Sequence, residues 1–214
     1  LALDELSHAG SRREAQGLGD AATRSAPIDD QALAAIGGEG GGKLAGADPA
    51  YNDYLRQLGY SGENPWHSWA NSVAGDDGEV LSGWAMRNAR RPARVKEEHS
   101  ETAYMTDRAI ECMRQARGGA PWCIHVSYIK PHWPYVAPAP YHAMYGPEHV
   151  VAANRSEAER ADPHPVVSAF MRHEESVNFS REEVRETVIP TYMGLISQLD
   201  AHVGRLVAHL EATG

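Results

Sequence analysis

The sequence predicts an α/β protein, a sheet flanked by helices, and three observations carry that expectation. Met105, Ala109, Cys112, Met113 and Ala116 recur at helical spacing. Directly after them, Trp122 to Ile129 has the length and the β-branched and aromatic content of a strand. Near the end, Tyr192, Leu195, Ile196, Leu199, Val203, Leu206, Val207 and Leu210 form a second, longer helical stripe. A helix leading into a strand at this spacing is one step of an α/β layer.

Taken in order, residues 1–47 are Ala- and Gly-rich, and the glycines crowded between Gly37 and Gly42 resist packing, so this stretch reads as flexible or poorly ordered. The folded domain is expected over 48–214. Residues 50–60 predict a short helix with Tyr51, Tyr54, Leu55 and Leu58 on one face and Gly59 as its stop. Residues 61–95 read as loop, with turns at Asn64-Pro65 and Asp76-Asp77-Gly78 and a short strand between Glu79 and Trp84. Ser100 or Thr102 caps a helix to about Arg117, ended by Gly118-Gly119. After the strand at 122–129, the prolines between Pro131 and Pro140 forbid regular structure, while the aromatics among them predict a loop packed on the domain. Residues 150–180 read as polar and irregular. Pro190 is placed at the start of the last helix, which is expected to lie on the sheet and to stop at Gly214.

Composition excludes several classes. The net charge is −9, and the one locally basic run, Arg87 to Arg91, is followed by Glu97 and Glu98, so it reads as a solvated segment and not a nucleic-acid footprint. No run is apolar and long enough to span a membrane. Two cysteines, Cys112 and Cys123, make neither a disulfide framework nor a zinc cage, and their apolar surroundings predict buried free thiols.

Few residues point to chemistry. Gly37 to Lys43 fits the outline of a phosphate-cradling loop, but Leu44 stands where a magnesium-binding Ser or Thr is required and no strand precedes it. His132 is a better candidate. It follows a predicted strand, where open α/β sheets place ligands, and Pro131 and Pro134 bracket it. An imidazole held there could stabilise charge on an anionic ester as its leaving oxygen departs. Lys130 offers a nearby cation, and Trp133 could shield the ring. A lone His in an aromatic loop also suits a purely structural role. His125 is expected within the strand and buried, His99 at the surface, and His142 and His149 lack the register of a metal site.

Three stretches resemble one family. Ala120 to Tyr135, with Lys130-Pro131-His132-Trp133-Pro134-Tyr135 at its end, resembles the strand and loop that sulfatases place beside the substrate. Tyr192 to Leu206 is similar to the helix before that family's metal-binding strand. Glu79 to Trp84 and Arg94 to Tyr104 resemble the phosphonate monoester hydrolase branch.

The resemblance implies a partial alkaline-phosphatase-like sandwich, a mixed central sheet flanked by helices, incomplete at both ends. It implies a hydrolase of phosphonate or phosphate monoesters or of sulfate esters. His132 would contact the phosphoryl or sulfate group, with Lys130, Trp133 and Tyr135 around the substrate. The family's nucleophile is a formylglycine made from a Cys/Ser-x-Pro-x-Arg motif. Neither cysteine fits, since Cys112 precedes Met113-Arg114 and Cys123 precedes Ile124-His125. The formylglycine and the ligands of a divalent metal, Mn or Ca, are therefore expected outside this chain, and the chain alone is expected to be inactive. The intact protein is expected to be a cytoplasmic homo-oligomer acting on small anionic esters, without nucleic-acid or membrane partners. The alternative is a non-catalytic sulfatase-like module that binds an anion.

Overall fold

The computed structural model describes residues 50–117 and 122–213. The Gly-rich stretch before residue 48, Gly118-Gly119, Pro121 and Gly214 lie outside the described residues.

Helix α1, Ala50–Gln57, buries Tyr51 and Leu55. It stops where expected, because Gly59 adopts φ +90°, a left-handed conformation that costs glycine little. Strands β1, Ser72–Ala74, and β2, Val80–Ser82, form an antiparallel hairpin with Val73 opposite Leu81. Helix α2, Glu101–Ala116, is capped by Ser100, whose hydroxyl accepts from the Ala103 amide. Leu55, Val73, Val95, Met105 and Val136 meet in the core under a shell of aromatic rings. Burying each such aliphatic side chain stabilises the fold by roughly 1.5–3 kcal/mol.

The predicted strand at 122–129 joins no ladder, and the two-stranded hairpin is the one sheet among the described residues. The strand's alternation is nevertheless present. Ile124, Val126 and Tyr128 are half-buried while His125 and Ser127 are exposed. Alternation is a property of one segment, whereas a ladder needs a second backbone within hydrogen-bonding reach. Tyr128 pins the segment to α2 through its hydroxyl, 2.8 Å from Thr106 Oγ1. Two associated expectations fail: His125 is exposed, not buried, and Cys123 is exposed while Cys112 is half-buried. His99 is half-buried instead of superficial, with its carbonyl accepting from Tyr51 (2.7 Å) and its Nδ1 2.8 Å from Tyr60 Oη.

Residues 150–180 are not irregular. They form α3, Glu157–Ala161, α4, Pro165–Met171, and α5, Glu174–Phe179. The last helix, α6, runs Glu182–Thr213 with Pro190 inside it. It packs on α2 and on the tight turn Tyr141–Ala143, where a sheet was expected beneath it.

Candidate functional site

The loop after residue 129 is built by the backbone and braced by a lysine. A turn closes at its start, where the His132 amide donates to Ile129 O at 2.9 Å. Its far end joins the core, with Val136 and Ala137 buried and Ala137 O accepting from Ala93 N at 2.9 Å. The Lys130–Pro131 and Trp133–Pro134 peptide bonds are both cis. Lys130 turns back under the loop and donates to the Pro134 carbonyl and, at 3.3 Å, to Asn71 Oδ1.

This positions His132 at the surface, on the lining of a cleft of about 870 Å³. Its Nδ1 lies 2.7 Å from the Trp133 carbonyl. A carbonyl only accepts, so Nδ1 carries the hydrogen and Nε2 is left to act as acceptor when the ring is neutral and donor when it is charged. Nε2 has no partner among the described residues. Trp133 and Tyr135 line the same cleft. Trp133 meets Trp84 edge to face with centroids 4.4 Å apart. Tyr135 meets Phe179 and Tyr192 in the same manner at 6.2 and 6.1 Å, and burial raises its phenol pKa, helped by Tyr192.

The structure thus brings together His132, Trp133 and Tyr135 and leaves Lys130 out of the cleft. Lys130 is half-buried as a residue, but its ammonium is enclosed beside Asn71 and Glu101. Burial lowers its pKa to about 8, and the attraction of Glu101 only partly opposes the shift. The same burial raises the Glu101 carboxyl, against the Trp66 indole hydrogen bond and Lys130. These observations make Lys130 a brace for the loop.

Sequence reasoning missed the rest of the lining. Trp84 and Arg87 come from the turns after β2, Glu174 and Phe179 from α5, and Arg181 from the link into α6. Readable signals existed: Ser156 three residues before Glu159, and His164 before Pro165, both mark helix starts in the 150–180 region. Among the described residues no group of three or more His, Cys, Asp or Glu could hold a metal ion. The described residues therefore do not fit the divalent metal that the resemblance implies.

A helical frame with a small hairpin, carrying a histidine on a proline-rich loop at the edge of a cleft, is part of an alkaline-phosphatase-like fold, and the chain belongs to the sulfatase family, whose profile matches residues 26–214. It is 34% identical over 137 residues to the multifunctional alkaline phosphatase superfamily protein PehA of Trinickia caryophylli, an alignment covering 58% of this chain and 26% of PehA. The phosphonate monoester hydrolase SpPMH from Silicibacter pomeroyi superimposes with a TM-score of 0.61 at 29% identity, over 77% of this chain and 33% of that one. The phosphonate monoester hydrolase of Agrobacterium radiobacter gives a TM-score of 0.59 at 22% identity with the same coverage, a likeness of fold. The chain spans about a quarter to a third of the length of these relatives.

Proposed function

We propose that the protein serves the hydrolysis of phosphonate or phosphate monoesters or of sulfate esters, with His132 at the ester's anionic group. The observation that carries this is the placement of His132: on a braced loop, lining a cleft, with Nδ1 committed to a carbonyl and Nε2 unengaged. Fixing the hydrogen on Nδ1 makes Nε2 the atom that exchanges a proton or hydrogen bond with substrate. In its protonated form it can donate to the departing ester oxygen, which needs a proton as its bond to phosphorus or sulfur breaks. Trp133 and Tyr135 wall the substrate, and Lys130 holds the loop from beneath.

In this proposal the formylglycine nucleophile and the divalent metal, Mn or Ca, come from residues other than those described. The intact protein is a cytoplasmic homo-oligomer acting on small anionic esters, with no nucleic-acid or membrane partner. The net charge of −9 supports the former exclusion. Among the described residues, no helix is long and apolar enough to cross a membrane.

The test is binding and turnover with the full chain. It should bind phenylphosphonate saturably and fail to hydrolyse an aryl phosphonate ester in manganese. His132→Ala should weaken binding about tenfold or more, the loss of one hydrogen bond to a charged group. Unchanged affinity in that variant would remove His132 from the site. Robust turnover by the chain would refute the external nucleophile.

A further inference from the structure

The cleft around His132 carries both signs of charge. The loops supply His132 and Arg87. Arg87 is exposed on the turn Met86–Asn88, which is pinned where Asn88 Nδ2 donates to Ser82 O at 2.9 Å, and its guanidinium has no partner among the described residues. The helices supply Glu174, Glu175 and Glu183, and the link between α5 and α6 supplies Arg181. Of these, Glu175 is held by His173, and Arg181 pairs with Glu183 at 3.9 Å and with Asn178 Oδ1 at 2.8 Å. Glu174 is exposed and has no partner among the described residues. One unengaged cation with a histidine on the loops, and one unengaged carboxylate on the helices, thus border a single cavity. The rings of Trp84, Trp133, Tyr135 and Phe179 line the same cavity.

A cleft dedicated to an anion alone gains nothing from an unpaired carboxylate, which repels the ligand. A free carboxylate and aromatic rings lining one cavity are instead the groups that hold an ammonium, through ring faces and ion pairing together. We infer that the cleft takes a zwitterionic ester, a monoester of an amino alcohol. Its anionic group lies toward His132 and Arg87, and its ammonium toward Glu174 and the aromatic rings. This rests on the proposed role of His132 and adds the class of the alcohol. About 870 Å³ is far more room than a phosphoryl group needs and suits a ligand with two ends.

The experiment titrates the full chain, by tryptophan fluorescence, with choline phosphate and with its carbon isostere, in which a tert-butyl group replaces the trimethylammonium. The size and the anionic end are the same in both. Choline phosphate should bind about tenfold tighter, the sum expected of one exposed cation–π contact and one exposed ion pair. Glu174→Gln should abolish most of that preference without weakening binding of the isostere, which loses only a repelling charge. Glu174 is exposed, so the substitution does not threaten folding. Equal affinity for the two probes, with both weakened by His132→Ala, overturns the ammonium assignment and leaves the anion site standing. Failure of both probes to saturate overturns the two together. A preference that survives in Glu174→Gln also sinks the inference, because the carboxylate would not be its source.

Discussion

Two glycines in α6 make opposite predictions when each is changed to alanine. At Gly194 a Cβ would stand 2.1 Å from the Tyr141 carbonyl oxygen, where ordinary contact begins at 3.4 Å, so the helix and the loop backbone must part by roughly 1.3 Å. Neither side is a flexible side chain. Overpacking of this kind costs about 1–3 kcal/mol, only partly offset by the gain of roughly 0.5–1 kcal/mol when alanine replaces glycine in a helix. At Gly204, by contrast, nothing lies within 4 Å of the added methyl. Gly204→Ala should therefore show the propensity gain alone.

Urea denaturation followed by far-UV circular dichroism reads both. Gly194→Ala should lose about 1–2 kcal/mol and Gly204→Ala should gain about 0.5–1 kcal/mol, with Tm moving about 2–4 °C per kcal/mol in a chain of this size. Because Tyr141 lies in the loop that continues from His132, Gly194→Ala should also weaken phenylphosphonate binding, which Gly204→Ala should not. A Gly194→Ala chain as stable as the parent would refute the close approach of α6 to that loop.

Other outcomes follow from single contacts. Ser100→Ala removes both the cap of α2 and the acceptor of Gln198 Nε2 at 3.0 Å, and should cost about 1–2 kcal/mol in the same denaturation assay. Leu55→Ala empties a fully buried position and should cost about 2–5 kcal/mol, a loss too small being evidence that α1 does not seal the core. Lys130 gives a pH dependence. Its folded pKa of about 8 lies below the ordinary 10.5, so between those values the unfolded chain binds more protons and stability rises with pH, by at most about 1.4 kcal/mol per pH unit. The rise should end near 10.0, the ordinary phenol value, because burial raises the Tyr51 pKa and stability is lost once unfolded phenols ionise. Denaturation midpoints that stay flat from about pH 8 to 10 would argue that the ammonium is solvated.

Much of the frame was legible because local signals and tertiary contacts agree. Ser100 caps α2 in sequence and in space, Gly59 ends α1, and β2 falls inside the stretch from Glu79 to Trp84. The His132 loop was legible for a related reason: prolines and aromatics leave a short segment few ways to pack. What failed depended on partners that a local window does not contain. The 122–129 segment has a strand's alternation and no paired strand among the described residues. Lys130 looked like a cleft cation, but its long stem lets the ammonium reach inward to Asn71 and the Pro134 carbonyl, away from the loop tip. The helical side of the cleft was missed because α3, α4 and α5 are too short for periodicity to show, and only their caps betray them.

Helix α6 shows the same limit most plainly. Its apolar stripe announced a helix correctly but named the buried face only in part: Leu195 is buried and Leu199 and Leu206 half-buried. Tyr192, Ile196, Val203, Val207 and Leu210 are 39–47% exposed, while Thr191, Gln198 and His202 are almost fully buried. The polar side is inside because each of its groups meets a partner there. Thr191 donates to Ala89 O at 2.9 Å, Gln198 to Ser100 Oγ at 3.0 Å, and His202 Nε2 to Glu97 Oε1 at 2.8 Å. A buried polar group is costly only when unpaired, and here Glu97 and Ser100, just ahead of α2, supply the pairs. Those partners lie about a hundred residues away in sequence, so no periodicity within α6 could have revealed them. Hydrophobic spacing thus settles that a segment is a helix, while the side it buries is decided by which distant groups can satisfy it.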